Sequence, residues 1–97
     1  MDLNINYELL IIKMIDNFYA IAGYVLCSKN RRLVLEALLA GPKTTAEIAN
    51  EYDASKRSIL YAINDLKNKE LVTGSRQGYS ITENGQEIIT SINNRDV

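Results

Sequence analysis

The 97 residues are enough for one small domain with one hydrophobic core and too few for two domains. One cysteine excludes an intramolecular disulfide framework and favours a reducing compartment, and the lack of histidine removes the commonest general base and transition-metal ligand. The net charge is −1, but residues 55–78 hold five basic against two acidic side chains, and such a local positive charge attracts polyanions.

The N-terminal segment predicts a long helix from Tyr7 to about Leu26. Apolar residues at alternating steps of four and three form a first stripe, which we expect to be a dimer interface: Tyr7, Ile11, Met14, Phe18, Ile21 and Val25. A second stripe lies beside it: Ile12, Ile15, Tyr19, Ala22 and Leu26. A helix that is apolar over most of its girth must be covered on two sides. The alternative is that the helix folds back over its own domain as core, but two stripes exceed what one small domain covers.

The same segment bears on location. Its apolar run is interrupted by Glu8, Lys13, Asp16 and Asn17 within any window of membrane-spanning length, and it has no basic leader or small-residue cleavage site. We therefore expect a cytoplasmic protein without membrane contact. Cys27 follows the helix, and we interpret it as a small buried apolar residue rather than a redox sensor.

Two shorter helices follow. A cap at Ser28 or Asn30 begins the first of them, and "AGPK" ends it. The stretch "TTAEIANEY" then opens with Thr44 and, three residues later, Glu47. This spacing is typical of a capping box and predicts a short helix.

The next predicted helix begins after the good N-cap Ser55 and extends to Asn68. At 100° per residue one side is apolar and predicts the buried face: Ile59, Ala62, Ile63 and Leu66. The other side is mainly polar: Arg57, Tyr61, Asn64 and Asn68, with Lys56 and Leu60 at its flank.

The C-terminal third predicts a hairpin and a last helix. The segments "ELVT" and "GYSIT" alternate around the turn "GSRQG", which indicates a β-hairpin, and Thr82 can cap a final helix. The chain thus divides into a dimerisation helix (1–27), a helical domain with a hairpin (28–92) and a frayed tail (93–97).

The stretch "NRRLVLEALLAGPKTTAEIANEYDASKRSILYAINDLKNKELV", followed by "YSITENGQEI", resembles the winged helix-turn-helix transcriptional regulators of bacteria and archaea, ArsR-like or MarR-like in the broad sense. The resemblance covers roughly residues 28–92. It implies a mostly α-helical fold with a small β-hairpin wing, a homodimer, and binding to double-stranded DNA without any enzymatic reaction. The thiolate-rich motif of the metal-sensing branch is missing, so we expect no metal and no cofactor. Glu70 lies where such sequences usually place the glycine that ends the recognition helix, and Asn68 is the alternative residue for that left-handed conformation.

The resemblance also implies which residues contact DNA. The residues expected to read bases are Arg57, Ser58, Tyr61 and Asn64. The residues expected to contact the backbone or to form the wing are Lys43, Thr45, Ser55, Lys56, Lys67, Arg76 and Gln77. Arg57 and Asn64 are of the types that make bidentate contacts with guanine and adenine. Helix capping for the threonines and ordinary turn polarity for the wing tip are the competing interpretations.

The sequence therefore predicts a sequence-specific, homodimeric DNA-binding regulator, a repressor, that reads a near-palindromic site with two recognition helices about 34 Å apart. The alternative is a winged-helix module that binds another protein, which the adjacent Leu60 and Tyr61 favour. No small-molecule effector site is marked.

Overall fold

The computed structural model describes the backbone of residues 3–95 and the side chains of residues 8–94. Within this range the elements are α1 (Leu3–Leu26), α2 (Lys29–Leu38), α3 (Thr45–Glu51), α4 (Lys56–Asn68), β1 (Val72–Ser75), β2 (Gly78–Ile81) and α5 (Glu83–Arg95). The predicted fold class, mostly α-helical with a hairpin wing, is confirmed. α5 continues to Arg95, so residues 93–95 are helical where the sequence predicts a frayed tail over 93–97. The last two residues of that tail lie outside the described range.

The predicted helix caps form as expected. Ser28 caps α2, its hydroxyl accepting a backbone N–H three residues later at 3.3 Å, so the alternative cap Asn30 is not used. Thr44 and Glu47 form both bonds of the capping box, at 3.2 and 2.9 Å. Ser55 caps α4 in the same way, accepting a backbone N–H at 3.1 Å. Each cap satisfies donors that the first turn of a helix leaves without partners.

α4 ends in a Schellman motif. The N–H of Leu71 donates to the carbonyl of Leu66 at 2.9 Å, and the N–H of Glu70 donates to the carbonyl of Lys67 at 3.0 Å. These bonds place Glu70 in the left-handed region with φ of 60°. The alternative, Asn68, does not take this conformation, because Asn68 is the last helical residue and the motif needs its left-handed residue two positions later.

The core forms where α2, α4 and α5 meet beneath the hairpin. Its largest fully buried side chains are Leu35, Leu38, Ile48, Ile59, Ile63, Leu66, Leu71, Ile89, Ile92, Val25 and Val34. α1 supplies only its C-terminal turns to this core. The structure therefore covers one end and one side of α1 and leaves most of its length exposed.

The first stripe of α1 faces its own domain at the C-terminal end. Val25 is fully buried there, and Phe18 and Ile21 pack against the core half-buried. Val25, which the sequence predicts to lie in a dimer interface, is enclosed completely by its own chain.

The side chains of α1 from residue 8 to residue 17 are exposed. Ile11 and Met14, nearer the N-terminus on the first stripe, have no such cover, while the side chain of Tyr7 lies outside the described range. Four of the five members of the second stripe are also exposed: Ile12, Ile15, Tyr19 and Leu26. The two stripes are thus unequal, since the first meets its own domain through Phe18, Ile21 and Val25 and the second only through Ala22.

The segment Glu8–Leu26 is long and apolar enough to cross a membrane by length and composition alone, with a mean hydropathy of 1.6 over 19 residues. Its charged residues leave the mean hydropathy as high as that of a membrane-spanning helix. The presence of these charges therefore does not exclude a membrane span. A core helix of a soluble protein passes the same test, but only 11% of this window is buried within the subunit.

Cys27 is exposed, although the sequence predicts a small buried side chain. It follows α1 directly, and its N–H donates to the carbonyl of Gly23 at 3.0 Å. The chain turns here at the surface and not within the core.

The hairpin is held to the start of α3. Its strands pair antiparallel from Val72 opposite Ile81 to Ser75 opposite Gly78, which leaves a two-residue turn. The backbone groups of Lys43 and Tyr79 exchange two hydrogen bonds of 3.0 and 2.8 Å. The wing is therefore fixed beside the helix-turn-helix unit.

Candidate nucleic-acid interface

The outward face of α4 is the centre of the candidate interface. The predicted inward residues are buried, namely Ile59, Ala62, Ile63 and Leu66. The exposed residues on the opposite side are Lys56, Arg57, Leu60, Tyr61, Asn64, Lys67 and Asn68. Leu60 lies within this face, between the turns that carry Lys56 and Asn64, and not only at its flank.

Two of the expected base-reading residues form a pair. Arg57 Nε donates to the hydroxyl of Tyr61 at 3.0 Å, and the Arg57 guanidinium carbon lies 5.7 Å from the Tyr61 ring centre. The residues are one helical turn apart, and both are exposed. The hydrogen bond restricts the guanidinium to one side of the helix before any partner binds.

Ser58 differs from the other expected base-reading residues. Its side chain is half-buried, and the hydroxyls of Ser55 and Ser58 lie 2.8 Å apart. Both serines are therefore engaged in capping α4, which favours a structural role for them over a base contact.

A groove joins α4 to the wing. Its volume is about 480 Å³, and its lining residues are Thr44, Thr45, Ala46, Lys56, Arg57, Leu60 and Arg76. Three of these are basic, two from α4 and one from the wing tip, and none is acidic. The other wing residue, Gln77, is exposed outside the groove. The fold thus gathers positive charge from two elements on one concave surface of an acidic protein.

Two lysines expected to contact phosphate each bond to another part of the protein. Lys43 Nζ lies 2.6 Å from a carboxylate oxygen of Glu51, and this hydrogen bond raises the pKa of Lys43 above its ordinary value. Lys67 Nζ donates to the carbonyl of Gly74 at 2.8 Å and lies 5.8 Å from the ring centre of Tyr79. Lys43 thereby fixes α3, and Lys67 fixes the wing strand to α4.

The structure also shows a network that the sequence does not reveal. The Arg31 guanidinium stacks on the Tyr24 ring at 3.7 Å, donates to the Tyr24 carbonyl at 2.9 Å, and pairs with Asp65 of α4 at 3.3 Å. One side chain therefore ties the end of α1 to the middle of α4. Because Arg31 and Asp65 are 34 residues apart, no local sequence pattern could have indicated the contact.

No group of three or more His, Cys, Asp or Glu residues in the described part of the chain could hold a metal ion.

Comparison with known proteins places this geometry in a family. Residues 21–95 match the family model of the HVO_A0261 N-terminal domain. A comparison with curated protein sequences gives no match.

Three solved structures have similar folds. A MarR family protein from Bacillus stearothermophilus is 19% identical with a TM-score of 0.65, over 98% of this chain and 76% of that one. The transcriptional regulator BldR from Sulfolobus solfataricus is 22% identical with a TM-score of 0.63, over 97% and 78%. ZitR from Lactococcus lactis is 26% identical with a TM-score of 0.58, over 63% of this chain, which spans only 44% of ZitR. These similarities confirm the winged-helix fold of the MarR type that the sequence resemblance implies.

Proposed function

This chain belongs to the family of the HVO_A0261 N-terminal domain, and we propose that it is a cytoplasmic, sequence-specific DNA-binding transcriptional regulator. The observation that carries the proposal is the groove between α4 and the wing. There Lys56, Arg57 and Arg76 converge without an acidic neighbour in the lining. A phosphate backbone is the polyanion that such a surface attracts, and α4 is the element that enters the major groove in helix-turn-helix proteins.

Specificity is assigned to the polar residues on the outward face of α4. Arg57 and Asn64 are exposed and are of the residue types that make bidentate contacts with guanine and adenine edges. Tyr61, 57% exposed, accepts the hydrogen bond that orients Arg57. Lys56 supplies a flexible charge for phosphate, and Arg76 at the wing tip contacts the backbone or the minor groove.

We further propose that the regulator is a homodimer formed through α1. Eight large apolar side chains of this helix are 43% to 71% exposed: Leu9, Leu10, Ile11, Ile12, Met14, Ile15, Tyr19 and Leu26. Together they expose on the order of 800 Å² of surface distributed around the helix, of which one side can lie in a two-fold interface. A second copy of the chain offers the same apolar surface and suits a two-fold interface.

The second stripe of α1 is the better assignment for the centre of that interface. Ile12, Ile15 and Leu26 are exposed, although Ala22 of the same stripe is buried in the core. The first stripe is divided, since its C-terminal members are already buried and only Ile11 and Met14 remain available from its described residues. A two-fold dimer would space two α4 helices for successive turns of a near-palindromic site, and occupation of a promoter would make the protein a repressor.

Fluorescence anisotropy with mixed-sequence duplex DNA over a series of salt concentrations tests the DNA-binding function. We expect binding at low salt whose affinity falls steeply as the salt concentration rises, because phosphate contacts release counterions. The matched control is the triple variant Lys56→Ala, Arg57→Ala and Arg76→Ala, which should lose most of this binding. Absence of wild-type binding at low salt would exclude the proposal.

The second candidate is a module that docks another protein through α4. It is favoured by the exposure of Leu60 and Tyr61, which are adjacent apolar or aromatic residues on this face. In that case DNA binding would be absent, and the variant Leu60→Ala would abolish capture of the partner without changing the fold.

A further inference from the structure

Leu60 is the one apolar aliphatic side chain on the outward face of α4. It is 39% exposed and lines the groove together with Lys56, Arg57 and Arg76. Three basic side chains thus surround an apolar one, and water reaches it in the free protein. Exposure of such a side chain to water is unfavourable in free energy. An apolar contact on the surface that receives DNA would therefore be favourable.

The major groove offers one apolar group among its base edges. Guanine, adenine and cytosine present hydrogen-bond donors and acceptors there, whereas thymine also presents its C5-methyl group. Lysine, arginine and asparagine gain little from a methyl group because their terminal atoms are polar. A leucine side chain in the same groove is stabilised when it buries the thymine methyl group.

We propose that Leu60 is a specificity-determining residue that packs against the methyl group of a thymine. The proposal rests on the DNA-binding function and deepens it. On α4, Leu60 follows Lys56 by one turn and precedes Asn64 by one turn. The thymine it reads therefore lies between a phosphate contacted by Lys56 and the base contacted by Asn64. This role also accounts for the exposed leucine without a protein partner.

The test compares thymine with deoxyuridine, which differ only in that methyl group. A duplex is first selected from random sequence with the wild-type protein, and each thymine is then replaced in turn by deoxyuridine. We expect one replacement in each half-site to weaken wild-type binding about fourfold, the value of one buried methyl group. Replacement at the other thymines should leave the affinity unchanged.

The variant Leu60→Ala should bind the thymine and deoxyuridine duplexes equally well. Asn68→Ala is the matched control, since it removes an exposed side chain of α4 that does not line the groove and should keep the fourfold difference. Leu60→Met preserves an apolar side chain and should keep most of it. Circular dichroism verifies that each variant is folded.

The outcomes separate the two proposals. If the wild type binds duplex DNA tightly but no deoxyuridine replacement weakens it, or if Leu60→Ala retains the fourfold difference, the role of Leu60 is wrong while DNA binding stands. If the wild type binds no duplex at low salt, the DNA-binding function fails and this inference fails with it. The wild-type comparison needs no variant, so it can overturn the proposal even if Leu60→Ala does not fold.

Discussion

The outward faces of α1 and α4 are both exposed in the subunit, but they differ in chemistry. On α1 the exposed face is aliphatic, with residues such as Ile12, Ile15 and Leu26. On α4 the exposed face is mainly charged and polar, with Arg57 and Asn64 beside a single leucine. Both helices bury one side in the same core.

The difference shows what exposure alone indicates. Water solvates a charged face well, so the function of the α4 face must be inferred from the residue types and their common groove with the wing. An extended aliphatic face is unfavourable in water. The exposed apolar area of α1 therefore indicates by itself that another molecule covers this face. The inference for α4 depends on the types of its exposed residues, and the inference for α1 depends on the amount of exposed apolar area.

A charge on the apolar face should produce the largest effect. In Ile15→Glu, two unpaired carboxylates would be buried in a symmetric interface. We expect dimerisation to weaken by at least about 100-fold, since burying an unpaired charge costs several kcal/mol. Analytical ultracentrifugation over a range of protein concentrations measures this.

Leu10→Glu is the matched control, because it adds the same charge to an exposed residue on the opposite side of α1. Its dimer should be weakened much less. An equal loss in both variants would mean that the second stripe is not the centre of the interface. A wild-type monomer that partitions into lipid vesicles would instead assign α1 to a membrane.

Removal of the polar base-reading side chains on α4 should have the next largest effect, on the preference for one DNA sequence over another. Arg57→Ala and Asn64→Ala should each lower the preference for the selected duplex over a scrambled one by about 1–3 kcal/mol, because each removes one bidentate base contact. Neither should alter dimerisation. Competition binding of the two duplexes measures the preference. Asn68→Ala, which removes an exposed side chain in the last turn of α4, serves as the control, and an unchanged preference in Arg57→Ala and Asn64→Ala would refute the assignment.

The two lysines on α4 should behave differently despite equal charge. Lys56→Ala should weaken binding to all duplexes, and the slope of log affinity against log salt should become shallower by about one, because one phosphate contact is lost. Lys67→Ala should leave that slope nearly unchanged, since its ammonium group is held by the Gly74 carbonyl. It should instead lower the free energy of unfolding by about 1 kcal/mol. Equal slopes for the two variants would contradict the distinction.

Local features of the fold could be predicted from the sequence. The caps at Ser28, Thr44 and Ser55 depend on neighbouring residues only, and the buried face of α4 follows from helical periodicity. The same periodicity could not decide which residues of the two α1 stripes meet the core, because both stripes are apolar and regular along the helix. Tertiary packing makes that choice, and it buries Val25.

The candidate site could be predicted only in part for a similar reason. Charge predicts Lys56 and Arg57 as DNA contacts, and the structure places both in one groove with the wing tip. Charge alone also indicated Lys43 and Lys67, whose partners Glu51 and Gly74 become neighbours only through the fold. The prominence of Leu60 depends likewise on the position of the wing tip, which the sequence does not specify.

The smallest predicted effect leaves both faces unchanged. Glu70 adopts φ of 60°, a conformation that costs a residue with a Cβ about 1 kcal/mol relative to glycine. Glu70→Gly should therefore raise the free energy of unfolding by about 1 kcal/mol in urea denaturation, with DNA affinity and dimerisation unaltered. Lys69→Gly is the control, because Lys69 has φ of −96°, which any residue adopts. This substitution should lower the free energy of unfolding of the protein. A destabilised Glu70→Gly protein would show that the Glu70 side chain contributes more than its backbone conformation costs.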